Sequence, residues 1–353
     1  MSVKNHRSSI RRLRRGVVAN SHILQLSVGI DPLIREMERQ LRLLRFRTAE
    51  GFFVDGEWGT GKSHILAVLR QMAATKGFAT AYINLNGNNA ALNHPQRFFH
   101  LVSNRVRVNG SSGLSRMISN MTQDRSHKPK LFEWALTHRH TSELAMAIHS
   151  LIDSPDGDAQ LAALATITGA DLYWADYGYK REKALRRIED MGGCLAAIGA
   201  GGLIVELDEL ETVDQLWNSR SRLGAYSVLG RLMLMKNVLP VFATTVRFQR
   251  VVEFDIQEGA IERCNASGQE FLRGWKKRQY PILRSIEFGP EMARALVSRV
   301  IEVYQQAYPG LQDCPNPSAL VDQWIASPAR TIRKLIRRVV HSCDVLAHSD
   351  RLE

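Results

Sequence analysis

The sequence predicts an α/β fold, a parallel sheet with flanking helices, followed by a helical C-terminal domain. Three observations predict it. An apolar run, a glycine-rich turn and a helical pattern succeed one another over residues 51–75. Further apolar runs of strand length recur at 78–84, 202–209, 238–245 and 282–288, with helical patterns between them. Past Pro290 the helical spacing continues to the end. Strands alternating with helices imply a parallel sheet covered on both faces, whereas a terminal block of helices forms a layer of its own.

Taken in order, residues 9–16 carry Ile10 and Leu13 three apart among arginines and end at Gly16, which predicts a short basic helix acting as an arm. A second helix is expected over 31–44, where Leu33, Ile34, Met37, Leu41 and Leu44 recur at helical spacing behind Asp31 and a first-turn proline, Pro32. Residues 51–55 read as a strand, 62–75 as a helix ending before Gly77, and 78–84 as a second strand after a crossover of suitable length. From about 96 to 195 the pattern is helical and polar, with turn signals at 109–113 and 154–158, and is expected to be a helical insertion. Strands follow at 202–209 and 238–245 with a helix at 221–235 between them, and 282–288 is a candidate fifth strand. Beyond it Ala293, Leu296, Val297, Val300, Ile301 and Tyr304 share one helical stripe. The expected organisation is a basic arm and helix at 1–48, a core at 49–288 and a helical domain at 289–353.

At 353 residues, 44% hydrophobic and 23% charged, the chain has the balance of a globular protein with a sizeable core, and its length suits two packed modules. The formal net charge of +12 predicts attraction to polyanions, nucleic acid first, because each phosphate met by Lys or Arg releases counterions. The plainer reading is a basic, solvated surface. Cys194, Cys264, Cys314 and Cys343 lie far apart, so neither a zinc site nor a disulfide framework is expected, and reduced thiols in the cytoplasm fit best. No apolar run reaches the roughly 18 residues of a membrane span. Residues before Asp31 contain Arg and Ser but no acid, a composition shared with transit peptides.

Gly56, Glu57, Trp58, Gly59, Thr60, Gly61, Lys62 and Ser63 satisfy the pattern G-x-x-x-x-G-K-[ST], which arises by chance in roughly one chain in a hundred of this length. Glycines let successive backbone N–H groups turn inward around phosphates, and the following helix directs its positive end at the same anion. Lys62 is expected to reach the β and γ phosphates of ATP, and the Ser63 hydroxyl to ligate Mg2+. Asp208 and Glu209 end an apolar strand as adjacent acids, suited to hold the magnesium shell and to polarise a water respectively; acids capping the next helix would look the same. Thr244 and Thr245 end the next strand, where ligands of such sheets sit, and Thr244 is the preferred γ-phosphate contact over an ordinary strand end. Near the C-terminus Arg330, Arg333, Lys334, Arg337 and Arg338 share a face opposite Ile332, Leu335, Ile336 and Val339. That face is open to three readings: a γ phosphate, a nucleic-acid backbone, or water. The histidines, His138 and His140 among them, show no metal spacing, and Trp174 with Tyr173, Tyr177 and Tyr179 reads as packing.

Leu26-Ser27-Val28-Gly29 before a helix, the phosphate loop, the acid pair, the strand ending at Thr244 and the arginine-bearing last helix occur in the order that resembles the AAA+ ATPases. The resemblance implies a P-loop AAA+ core with a C-terminal helical lid domain. It places Val28 and Gly29 against adenine, Thr244 as sensor 1 and Arg330 or Arg333 as sensor 2. Within that superfamily, residues 11–18, 53–64 and 207–211 resemble the ATP-binding proteins of BREX-type bacteriophage-defence islands, most strongly over about 9–100 and 200–250. This extends the nucleotide-binding stretch to His64. It implies a cytoplasmic ATPase, a switch or motor acting on or beside DNA, with other defence-system proteins as partners and a homo-oligomer in which an arginine completes the neighbour's site. Arg220, Arg222, Arg231 and Arg263 are the candidates. A nucleotide-gated scaffold that recruits an effector enzyme, or an ATPase of transposition or replication initiation, are the alternatives.

Overall fold

The computed structural model describes residues 3–17, 19–46, 49–86, 92–172, 179–216, 218–284, 288–309, 313–328 and 330–349. In chain order the first elements are α1 (Val3–Arg14), α2 (Asp31–Arg45), β1 (Phe52–Asp55), α3 (Lys62–Thr75) and β2 (Ala79–Asn84). Next come α4 (Pro95–Arg105), β3 (Val106–Val108), β4 (Ser111–Ser112), α5 (Leu114–Gln123), α6 (Lys128–His138), α7 (Glu143–Asp153), α8 (Gly157–Thr168) and α9 (Tyr179–Ala197). The chain continues through β5 (Leu203–Asp208), α10 (Ser219–Met233), β6 (Val238–Thr244), α11 (Val246–Gln257), α12 (Ala260–Arg263) and α13 (Ala266–Lys276). It closes with β7 (Ile282–Arg284), α14 (Pro290–Ala307), α15 (Pro317–Ile325) and α16 (Ile332–Ser349).

The fold is α/β with a mixed, mostly parallel sheet. Among the described residues the strands form one sheet in the order β4-β3-β2-β5-β6-β1-β7. The pairs β2–β5, β5–β6 and β6–β1 are parallel, and β2–β3 and β3–β4 antiparallel. β5 and β6 are buried along their whole lengths, which is why their sequences are mostly apolar runs instead of alternating ones, with Glu206 the charged residue inside β5. Because β6 lies on one side of β1 and β7 on the other, the strand order reverses at β1. Ligands of open α/β sheets bind at such a switch point, beyond the carboxyl ends of the strands.

The chain divides into two compact units: Met1–Glu36 with Gly56–Gln71 and Arg284–Glu353, and Met37–Asp55 with Met72–Leu283. The second holds the sheet and the helices α4 to α13. Its core includes an aromatic group in which Phe53 lies 5.0 Å from both Phe242 and Trp275, ring centre to ring centre. The first is built from helices, with Ile10 and Leu13 of α1, Val297 and Val300 of α14 and Leu335 and Val339 of α16 in one apolar core.

Three local differences from expectation have physical causes. α1 begins at Val3 instead of residue 9, because its buried stripe continues toward the N-terminus through the polar side chains of His6 and Ser9, which carry no apolar signal. Residues 106–112, expected within the helical insertion, form the hairpin β3–β4 around Asn109 and Gly110, both at positive φ (47° and 80°). An Asn-Gly pair suits the two-residue turn whose twist matches a hairpin, but strands this short leave no alternating pattern. β7 ends at Arg284, and residues 285–287 of the expected fifth strand, like the aromatic group at 173–178, lie outside the described residues.

Candidate functional site

In the helical unit, the eight-residue glycine loop runs from Gly56 into the first turn of α3. Gly59 and Gly61 take φ of +85° and +98°, where a Cβ is strained, and a Cβ on Gly59 would also stand 3.2 Å from the Thr331 side chain. The turn is closed by Thr60, whose Oγ1 donates to the Glu57 carbonyl at 2.8 Å. Lys62 is buried, and its Nζ donates to the carbonyls of Gly56 (2.7 Å) and Glu57 (3.1 Å). Ser63 is half-buried in the same first turn, at the positive end of α3.

Four further elements of this unit meet the loop or its neighbours. His64 shares a 2.8 Å hydrogen bond with Ser27. The Ser27 hydroxyl donates its single proton to the Ile23 carbonyl at 2.6 Å, so His64 Nε2 is the donor to Ser27 Oγ. Burial pushes the His64 imidazole down to about 4, so the ring is neutral near neutral pH. Val28 is half-buried against the helical core, and Gly29 sits at φ +71° where a Cβ would lie 2.7 Å from the Met292 sulfur. Arg299 of α14 clamps this segment, donating through Nη1 to the carbonyls of Gln25 (3.0 Å) and Ser27. Trp58 at the loop's tip is 67% exposed, and the Arg333 guanidinium lies 5.2 Å over its ring. Arg330 is exposed in the segment leading into α16.

In the sheet unit, the strand registers align Asn84 with Asp208 and Asp55 with Thr244, so four polar side chains cap the carboxyl ends of β2, β5, β6 and β1. Asp208 is buried and accepts two hydrogen bonds, from the Tyr82 hydroxyl at 2.8 Å and from the backbone N–H of Glu209 at 3.0 Å. Glu209 adopts φ +63°, ψ +47°, an uncommon left-handed conformation for a glutamate. Such local strain concentrates at working positions. Its carboxylate receives a long contact from Asn84 Nδ2 at 3.4 Å. Thr244 is fully buried, and among the described residues its hydroxyl reaches only the Thr245 carbonyl, at 3.4 Å. Asp55 is buried with one carboxylate oxygen unpartnered among the described residues.

Of the four candidate bridging arginines, Arg222 makes a bidentate pair with Asp255 (2.7 Å twice). Arg231 pairs with Glu189 (2.6 Å), and Arg263 donates to the carbonyls of Glu258 and Gly259. Arg220 is exposed at the start of α10. The roles of Tyr82, Asn84, Asp55 and Arg299 were not drawn from the sequence. Asp55, directly before Gly56 in a strand otherwise apolar, was the one signal available.

Residues 1–120 match the family model described as BREX system ATP-binding protein BrxC/D. That segment contains Val28, Gly29, the whole glycine loop and His64, whereas Asp208, Glu209, Thr244 and the arginines of α16 lie beyond it. No curated protein matches the chain. Among the described residues no helix is long and apolar enough to cross a membrane.

Proposed function

We propose that this chain is an ATP-binding and ATP-hydrolysing switch or motor with an AAA+ core, working on or beside DNA within an anti-phage defence system. One observation carries the reading: a glycine loop with the backbone that phosphate cradles require, leading into a helix N-terminus and lying inside the segment that matches an ATP-binding family. The fit extends to the side chains. The ammonium of Lys62 already rests on loop carbonyls and can exchange them for phosphate oxygens without leaving the loop. The carboxylate of Asp208 keeps acceptor capacity beyond its two hydrogen bonds, as a ligand for the water shell of Mg2+ must.

In this reading the loop N–H groups from Glu57 to Ser63 and the ammonium of Lys62 bind the β and γ phosphates. Mg2+, when bound, would neutralise charge developing on the phosphate oxygens. Ser63 would hold it through its hydroxyl and Asp208 through its water shell. Glu209 orients the attacking water and accepts its proton. Thr244 donates to the γ phosphate, and Arg330 or Arg333 of the C-terminal helical lid offsets its charge. Val28 and Gly29 line the adenine, and His64, neutral and tied to Ser27, holds that segment in register with the loop. Residues 49–288 form the core with an insertion at about 96–195, residues 289–353 the lid, and residues 1–48 the basic arm. The working form is a cytoplasmic homo-oligomer, in which Arg220 and Arg263 are the two candidate bridging arginines with no intramolecular ion pair among the described residues, and Arg263 is held by the carbonyls of Glu258 and Gly259. Other defence-system proteins are its partners.

ATP turnover by the purified protein, with and without duplex DNA and beside a Lys62→Ala control, tests this. Turnover that DNA stimulates and Lys62→Ala abolishes supports it; ATP binding without turnover under either condition contradicts the hydrolytic part.

A further inference from the structure

A concavity of about 430 Å3 on the helical unit is lined by Arg14, Lys334, Arg337, Arg338, His341 and Asp344. It arises from the amphipathic pattern of α16. Leu335, Val339, Val340 and Cys343 are buried, which turns Lys334, Arg337, Arg338 and His341, spaced i, i+3, i+4 and i+7, outward along one stripe. α1 contributes Arg14 to the other side. Its twelve residues contain no acid, and Arg14 closes the end.

The single carboxylate of the concavity is already engaged. Asp344 accepts from Arg14 Nε at 2.9 Å and Nη2 at 2.6 Å, and from the Tyr304 hydroxyl at 2.8 Å. That pairing raises the Arg14 guanidinium further and fixes it in place. Among the described residues Lys334, Arg337 and Arg338 have no ion-pair partner, so the concavity keeps a net positive charge. From Lys334 to His341 the stripe rises over seven residue steps, about 10 Å of helix axis. Over that length one strand of duplex DNA presents about three phosphates.

We infer that this concavity docks the sugar–phosphate backbone of duplex DNA, with Lys334, Arg337 and Arg338 each meeting a phosphate and the Arg14–Asp344 pair fixing the wall between α1 and α16. The inference rests on the reading that the protein works on or beside DNA, and it locates the contact. Apart from the His341 imidazole the lining contains no aromatic or aliphatic residue, so it offers neither an extended platform for base stacking nor the apolar anchor by which protein partners are usually held. Docking here is therefore independent of base sequence.

The test is duplex binding by the full chain, followed by fluorescence anisotropy over a salt series with two duplexes of unrelated sequence. Lys334→Gln/Arg337→Gln/Arg338→Gln is compared with Arg116→Gln/Arg125→Gln/Lys130→Gln, which removes the same charge from exposed positions of the sheet unit. The expected result is weaker binding of both duplexes by the first variant alone, with the slope of log K against log salt shallower by about three. ATP affinity and thermal midpoint should match the wild type. If the wild type binds DNA and the two variants fall equally, the contact lies elsewhere and only the docking site is overturned. If the wild type binds neither duplex at low salt, with or without ATP, the DNA reading falls as well. If inorganic pyrophosphate binds the concavity more tightly than the duplex does, it is a small-anion site and the inference is also overturned.

Discussion

The Arg333 guanidinium lies 5.2 Å over the ring of Trp58, joining the last helix to the tip of the glycine loop. A cation over an exposed indole contributes about 0.5–1 kcal/mol, weak enough for a phosphate to displace. Nucleotide binding is therefore expected to draw Arg333 from the ring and change the emission of Trp58. Trp58→Phe should remove most of the ATP-dependent fluorescence change while ATP still binds. An unchanged signal in that variant would show that the pair does not respond to nucleotide.

Gly59→Ala places a Cβ at φ +85° and 3.2 Å from Thr331. The backbone penalty alone is about 1–2 kcal/mol. Thermal unfolding should show a lower midpoint, and ATP affinity should fall with it. Adding Thr331→Ser removes Cγ2 and should recover some of the steric part, leaving the 3.2 Å contact with Cβ and the backbone part. Full recovery would mean that the left-handed conformation is not required.

Arg222 and Arg220, two residues apart, should behave oppositely. Arg222 satisfies both oxygens of Asp255, which is buried and also accepts from the Tyr226 hydroxyl at 2.7 Å. Arg222→Ala leaves that carboxylate without its cation and should cost about 3 kcal/mol in denaturant unfolding. Arg220→Ala should stay within about 0.5 kcal/mol of wild type. If Arg220 serves a neighbouring subunit, its loss should lower turnover in the assembled form alone.

Histidine burial in the helical unit makes stability depend on pH. His22 is buried, shares a 2.7 Å hydrogen bond with Ser9 Oγ, and lies 4.6 Å from the ring of His6. Burial first, then the charge of His6 and of the N-terminus, holds its imidazole below the usual value. The neutral ring is favoured in the fold, so its contribution is complete above the unfolded value of about 6.5 and is lost as pH falls toward the folded value. The thermal midpoint should drop between about pH 7 and about pH 5 and drop less in His22→Gln. Equal pH dependence in both proteins would remove His22 from that role.

What was legible in the sequence was local or periodic. β1, β5 and β6 show as apolar runs because both faces of each are covered, and the glycine loop shows because its conformation needs particular residues at fixed spacing. The placement of Asp208 and Glu209 at the end of β5 follows from the same run. Hidden were the features set by residues distant in the chain. Tyr82 reaches Asp208 across 126 positions, and Arg299 reaches Ser27 across 272. Arg222, Arg231 and Arg263 look alike in sequence, and only their partners separate them from Arg220. The start of α1 was hidden because its buried face is polar.

The central claim is that the glycine loop binds ATP and that Glu209 drives its hydrolysis. ATP affinity and turnover measured side by side on wild type and Glu209→Gln test it most directly. The account predicts that the variant binds ATP as the wild type does and turns it over on the order of a hundredfold or more slowly. Equal turnover in the two proteins would remove Glu209 from the chemistry, and loss of ATP binding in the variant would contradict the division of labour between the loop and the strand-end acids.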